Sequence, residues 1–121
     1  MRVDATLEPT PAAPAKARRA LAPLERELPP DRLSDLRMVV TELVTNGVKY
    51  GPGRPIDVRV WIDDGVAVQG EVADHGRADL RPAAGDPDAA RGGFGLRIVD
   101  AVAESWGTRG GRSPVWFRVA L

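Results

Sequence analysis

The feature that most constrains the fold is an alternation of residue types on both sides of Asp63-Asp64-Gly65. Every second residue from Ile56 to Ile62 is apolar, and a similar alternation continues from Val66 to Val72. Successive side chains of a strand point to opposite faces of its sheet, so each run is typical of a half-buried strand. Asp-Gly between two such runs suits a tight turn. The stretch therefore predicts an antiparallel hairpin, one face of which must be covered by other elements.

The remaining segments predict a single domain over residues 1–121. Apolar spacing of three and four residues indicates helices, and short alternating runs indicate strands. Pro23 should break the first helical segment, because proline lacks a backbone N–H and crowds the preceding turn. We expect an α+β two-layer sandwich, in which helices pack on one face of a mixed or antiparallel sheet. The predicted elements besides the hairpin are strands at Arg2–Leu7, near Trp106 and at Val115–Val119, helices at Ala15–Leu28 and Gly95–Ser105, and a long helix that starts near Pro30, with Asp31 or Ser34 as its cap, and runs to about Tyr50.

Composition excludes several classes of function. Seventeen basic residues balance seventeen acidic ones, so net charge favours neither nucleic acid nor an anionic membrane as a partner. The absence of cysteine removes thiol catalysis and cysteine metal sites, and the single histidine, His75, excludes a multi-histidine metal site. Neither a run of 18 apolar residues nor a signal-peptide pattern is present, so we expect a cytoplasmic protein without a membrane span.

One face of the long predicted helix carries chemically useful side chains. At roughly 100° per residue, Glu42, Asn46 and Lys49 fall within about 60° of arc, opposite the apolar stripe. An amide oxygen can bind magnesium, a carboxylate can accept a proton from a hydroxyl group, and a lysine can meet a phosphate. A solvated helix face would also accommodate these residues, and this stretch alone leaves both interpretations open.

Two further motifs are weak when taken singly. Asp74 and Gly76 follow the second strand of the hairpin, where they could contact a nucleobase or simply close a turn. The glycines of Gly92-Gly93-Phe94-Gly95-Leu96 precede a helix, where backbone N–H groups can bind an anion. Their spacing matches neither the GxxxxGK[ST] phosphate loop nor the dinucleotide fingerprint. The intervening segment is long and has no periodicity, which is typical of a functional loop.

Taken in order, the three motifs resemble those of a known superfamily. The stretch ELVTNGVKYG, from Glu42 to Gly51, resembles the N box of the GHKL ATPases, which include gyrases, chaperones, histidine kinases and mismatch-repair proteins. The stretch VADHG, ending at Gly76, resembles the G1 box, and GFGL, starting at Gly93, resembles the G2 box. Within the superfamily, ELVTNGVKYG, GLRIVDAVAESWG and VWF are similar to segments of the anti-sigma factor serine kinases of Gram-positive bacteria.

The resemblance implies a Bergerat-type site for ATP and Mg²⁺. Asn46 would coordinate the magnesium ion, Glu42 would be the general base, and Asp74 would accept a hydrogen bond from the adenine amino group. Residues 77–92 would form the ATP lid. Further nucleotide contacts are implied for Lys49, Gly76, Gly93, Phe94, Gly95 and Leu96. Two positions depart from the family pattern. Ala78 stands where a second glycine is frequent, and Gly47 stands where alanine is usual, which we expect to open space near the site.

The implied function is a serine kinase that phosphorylates an anti-anti-sigma protein of the STAS type and sequesters a sigma factor, with a homodimer as a further expectation. One alternative is a regulatory module that binds ATP, or no nucleotide, and acts by sequestration without phosphate transfer. Another is a detached ATPase domain that works with a separate histidine-containing protein, because Lys49 matches the basic position of the histidine kinases.

Overall fold

The computed structural model describes residues 1–75, 94–109 and 112–121. Within these ranges, five strands form one antiparallel sheet: β1 (Arg2–Leu7), β2 (Ile56–Asp63), β3 (Ala67–Ala73), β4 (Ser105–Arg109) and β5 (Arg112–Ala120). Their order across the sheet is β1-β2-β3-β5-β4. The described residues also form the helices α1 (Ala13–Ala20), α2 (Pro30–Tyr50) and α3 (Phe94–Val102). The predicted α+β sandwich is confirmed, and every strand pairing is antiparallel.

The predicted hairpin forms with the expected turn. Asp64 has φ 47° and Gly65 has φ 72°, so both central residues are left-handed, as a type I′ turn requires. The Val66 N–H closes the turn by donating to the Asp63 carbonyl oxygen over 2.9 Å. The register of β2 and β3 aligns the apolar positions of both strands, for example Val58 with Val72. The hairpin therefore turns one continuous apolar face towards the helices.

The core lies between this apolar face and the helices. The side of α2 opposite Glu42 is buried, and the inner sheet positions pack against it. Burying each such aliphatic side chain stabilises the fold by about 1.5–3 kcal/mol before the cost of lost chain entropy. The most deeply buried side chains of the two layers include Leu36, Val39, Val40 and Val44 from α2, and Val58, Val60, Val68 and Phe117 from the sheet.

Pro23 breaks the first helical segment as predicted. Helix α1 ends at Ala20, and a 3-10 turn over Ala22–Arg26 follows it. Leu21 and Leu24 remain fully buried across the break. The segment therefore packs as two short pieces against α2.

The carboxyl-terminal elements differ from the prediction at their ends. Helix α3 stops at Val102 rather than Ser105, because the Glu104 N–H donates to the Arg118 carbonyl oxygen and starts the pairing with β5. Strand β5 begins at Arg112, before the predicted Val115. Pro114 fits there because the β3 pairing starts only at Val115, and the β4 pairing shifts register at the same level.

The outer face of the sheet carries the polar positions. Trp116 lies on this face, 36% exposed and close against Gly107, and the Arg2 guanidinium lies 5.7 Å from the centre of the Trp61 ring. Trp106 is partly buried against the core, and its indole N–H donates to Asp100 over 3.0 Å. Among the described residues, none of the helices has the length and apolar character needed to cross a membrane.

Candidate functional site

The polar face of α2 reaches solvent as the periodicity predicts. Glu42 and Asn46 are half-buried and Lys49 is exposed. The Thr45 hydroxyl is engaged with its own helix, donating to the Thr41 carbonyl oxygen over 2.7 Å. Glu42 and Lys49 form no ion pair with any described residue, and the Asn46 amide makes no hydrogen bond within the same set. These three side chains are thus not used to hold the described part of the fold together.

Asp74 immediately follows β3 and is 3% exposed, which makes it the single buried polar or charged residue in the part of the chain described. Its backbone N–H donates to the Ser113 hydroxyl oxygen over 3.0 Å, which ties the end of β3 to the start of β5. Burial of a carboxyl group costs free energy unless it is well paired, so the surroundings of this side chain determine its chemistry.

The carboxyl-terminal end of α2 passes close to Asp74 at two glycines. A Cβ atom built on Gly47 would lie 3.4 Å from the Asp74 Cβ, and one built on Gly51 would lie 3.1 Å from Asp74 Oδ2. The last turn of α2 therefore passes close beside the buried carboxyl group. The contact places Asp74 next to the helix that carries Glu42 and Asn46, so residues 28 or more positions apart in sequence share one region of the fold.

The expectation that Gly47 opens space near the site is wrong. A Cβ atom at this position would lie 3.0 Å from Ile56 Cδ1 as well as 3.4 Å from Asp74 Cβ. The space that alanine would occupy is already filled by Ile56 of β2. Gly47 instead lets the helix approach the sheet closely.

His75, which follows Asp74, belongs to a hydrogen-bonded group on the sheet. It has φ 62°, a left-handed conformation that turns the chain sharply after β3. Its Nε2 lies 2.8 Å from Asp57 Oδ2, and the Thr6 hydroxyl donates to Asp57 Oδ1 over 2.8 Å. The hydrogen bond from Thr6, followed by that from His75 and the attraction of its charge, lowers the pKa of Asp57.

Sequence reasoning missed Asp57 and Ser113. Asp57 occupies an ordinary outward position of β2, and Ser113 falls between the strands predicted near Trp106 and at Val115–Val119. Their importance comes from strand pairing, which brings Asp57 opposite Ala73 and places Ser113 near the end of β3. No local pattern in the sequence reports such a pairing.

The G2 motif is described only in part. Phe94, Gly95 and Leu96 lie in the first turn of α3, and Leu96 is partly buried against the core. Gly76, Gly93 and the proposed lid over residues 77–92 lie outside the described residues. The nucleotide roles of all these residues stay predictions, as do those of Glu42, Asn46, Lys49 and Asp74.

The described residues contain no group of three or more histidine, aspartate or glutamate side chains that could hold a metal ion. An ion bound through Asn46 would therefore take its other oxygen ligands from elsewhere. Magnesium fits such a situation, because it is commonly bound by one or two protein oxygens together with phosphate oxygens and water.

Comparison with known proteins assigns the chain to a family. The family model of the histidine kinase-like ATPase domain matches residues 7–118, nearly the whole chain. A search of curated proteins found no match.

Proposed function

Because the chain belongs to the histidine kinase-like ATPase domain family, we propose that it is an ATP-dependent protein serine kinase of the anti-sigma type. The observation that carries the proposal is the contact of buried Asp74 with α2 at Gly47 and Gly51. This approach brings the Asp74 carboxyl group, which suits recognition of a nucleobase, close to α2. On that helix, Glu42 and Asn46 have no partner among the described residues.

Asp74 is proposed to bind the adenine ring. Its carboxylate would accept a hydrogen bond from the exocyclic amino group, and its burial would keep water from competing for that bond. The bond from the Asp74 N–H to Ser113 holds the backbone in place on the other side. Because this backbone is already held in place, little free energy is lost in ordering the site when the nucleotide binds.

Asn46 and Lys49 are proposed to bind the phosphate end of ATP. The Asn46 amide oxygen fits a magnesium ion, which when bound would neutralise charge on the phosphate oxygens. Lys49 lies one turn further along α2, where its exposed ammonium group can reach a phosphate. Both side chains therefore orient the triphosphate along the helix face that also carries Glu42.

Glu42 is proposed to accept the proton of a serine hydroxyl on a partner protein. The serine oxygen then forms a bond to the γ-phosphorus, the bond from that phosphorus to the β–γ bridging oxygen breaks, and ADP leaves. General base catalysis of this kind contributes about 10²–10⁴-fold to the rate. Glu42 is half-buried and forms no described ion pair, so its carboxylate is available to a hydroxyl group brought from outside.

The partner class rests on the resemblance of the N box and of the α3 segment to anti-sigma serine kinases. On that basis the acceptor is an anti-anti-sigma protein of the STAS type, and the unphosphorylated partner competes with a sigma factor for this chain. One observation favours the alternative of an ATP-binding module without transfer. A general base is commonly oriented by a neighbouring group, and none of the described residues bonds to Glu42.

A transfer assay separates the two functions. The purified chain is incubated with magnesium, ATP labelled at the γ-phosphate and candidate STAS-type proteins, and is compared with Glu42→Gln. Glu27→Gln is the matched control, since Glu27 is exposed at the end of the 3-10 turn. The proposal expects labelled phosphoserine with wild type and Glu27→Gln, and a loss of about 10²–10⁴-fold with Glu42→Gln at unchanged ATP affinity. Tight ATP binding without transfer by the wild type would favour the binding module.

A further inference from the structure

A polar depression lies on the sheet face away from the helices. It has a volume of about 490 Å³ and sits where β2 begins and β3 ends. Alternate residues of the same strands, such as Ile56 and Val58, point into the core, so the depression and the candidate ATP site are on different sides of the sheet. The lining residues that matter here are Arg54, Asp57, Arg59, Glu71, His75 and Ser113.

The two carboxylates of this depression are already engaged. Asp57 accepts from Thr6 through Oδ1 and contacts His75 through Oδ2, each over 2.8 Å. Glu71 accepts from Arg59 Nη1 over 3.4 Å. The two acidic groups that could attract a cation therefore already have internal partners.

Hydrogen-bond donors remain available in the same place. The Arg54 guanidinium has no bonding partner among the described residues, and Arg59 uses one nitrogen for Glu71 and keeps its side chain 51% exposed. The Ser113 oxygen accepts the Asp74 N–H, so its own hydroxyl proton can still be donated. The free hydrogen-bonding capacity of the depression is thus mainly that of donors.

The charge of the depression depends on His75. Arg54 and Arg59 balance Asp57 and Glu71, so the formal sum is zero with a neutral imidazole and +1 with a protonated one. Since Nε2 faces Asp57, the second ring nitrogen accepts in the neutral ring and donates in the imidazolium. These four charged groups and the Thr6 hydroxyl, which bonds Asp57, set the electrostatic surroundings of the imidazole.

We propose that this depression binds a small oxyanion, a phosphate or a carboxylate group, between Arg54, Arg59 and His75. The anion accepts hydrogen bonds from the two guanidinium groups and from the Ser113 hydroxyl. The His75 imidazole borders the same site and is held there by its bond to Asp57. This assignment stands independently of the ATP site.

The anion site is linked to Asp74 by covalent and hydrogen bonds. His75 directly follows Asp74, and Ser113 holds the Asp74 N–H. An anion that bonds to Ser113 and His75 therefore acts on the backbone that positions the buried carboxyl group. We therefore expect the anion to change the affinity for ATP, and ATP to change the affinity for the anion by the same factor. This expectation rests on the proposed function.

The single histidine makes the test direct, because its imidazole NMR signals report on this depression alone. The chain is titrated with sodium acetate and separately with sodium phosphate, at constant pH and with ionic strength held constant by sodium chloride. We expect saturable shifts of these signals with each bound anion. A response to acetate as strong as that to phosphate assigns a carboxylate site, and a stronger response to phosphate assigns a phosphate site.

Variants decide whether the named residues form the site. Arg54→Gln and Arg59→Gln should each weaken binding by about two- to fivefold, the range for a partly exposed charge pair. Arg26→Gln, which removes an exposed charge from the 3-10 turn, should leave the affinity for the anion unchanged. Asn46→Ala should leave it unchanged as well, so a failed ATP site does not affect this test. Shifts that do not saturate, or equal affinity in wild type and the Arg54→Gln/Arg59→Gln double variant, would overturn the proposal. An ATP affinity that is the same with and without saturating anion would overturn the linkage.

Discussion

Gly47 and Asp74 approach each other so closely that a Cβ atom added to Gly47 would lie 3.4 Å from the Asp74 Cβ. This approach joins the long helix to the end of β3. The helix also carries Glu42, Asn46 and Lys49, and the strand end carries the buried carboxyl group. The proposed ATP site depends on this close approach.

The first prediction concerns the space beside Gly47. Replacing it with alanine gains about 1 kcal/mol of helix propensity, but the new methyl group meets Ile56 Cδ1 at 3.0 Å. We expect Gly47→Ala to change the free energy of unfolding by less than about 1 kcal/mol in the wild type. In an Ile56→Val background, where that carbon is absent, the same change should be clearly stabilising.

Urea denaturation of the four proteins in this double-mutant cycle measures the coupling between the two positions. An effect of Gly47→Ala that is identical in both backgrounds would show that Ile56 does not limit the space at Gly47.

The second prediction concerns the base specificity of Asp74. Asp74→Asn keeps the shape of the side chain but replaces a charged acceptor, so ATP affinity should fall about 10- to 100-fold. Inosine triphosphate carries a carbonyl oxygen in place of the adenine amino group. Asp74→Asn should therefore lower the affinity for inosine triphosphate much less than the affinity for ATP. Titration calorimetry with both nucleotides measures the difference. Asp4→Asn, at an exposed position of β1, is the control. Equal losses for the two nucleotides would argue against a role for Asp74 in reading the base.

The third prediction concerns acid stability. The folded state lowers the pKa of Asp57, chiefly through the Thr6 hydrogen bond and then through His75. Protonation of Asp57 therefore favours the unfolded chain. Its contribution is present above the unfolded value of about 4 and is lost as the pH falls through the lower folded pKa. The difference in urea midpoint between wild type and Asp57→Asn should be largest near neutral pH and should shrink in acid. A difference that stays constant into acid would contradict this assignment.

Local pattern was sufficient for the elements whose own residues decide their form. The β2–β3 hairpin follows from alternation and an Asp-Gly turn, and the break after α1 follows from Pro23. The end of α3 was placed too late, because its last residues compete with a strand pairing to β5 that helical periodicity does not report.

The same division applies to the candidate site. The helix face that carries Glu42 and Asn46 can be predicted from local helical periodicity. Asp74 can be predicted as a candidate from its position directly after a strand. The contact of Asp74 with Gly47, the filling of that space by Ile56, and the bonds of Asp57 and Ser113 depend on packing between distant segments. Such contacts require the register of the sheet and the distance of the helix from it.

The most direct test of the central claim is magnesium-dependent ATP binding by Asn46→Ala. In the proposed site the Asn46 amide oxygen would hold a magnesium ion, which would supply positive charge to the phosphates, and Asp74 would bind the adenine ring. Calorimetry with and without magnesium should show that wild type binds ATP more tightly with the metal. The variant should lose at least about tenfold of its affinity for MgATP, the scale on which weakened metal coordination acts, and should bind metal-free ATP as the wild type does. If Asn46→Ala bound MgATP as tightly as the wild type, this helix face would not be the nucleotide site.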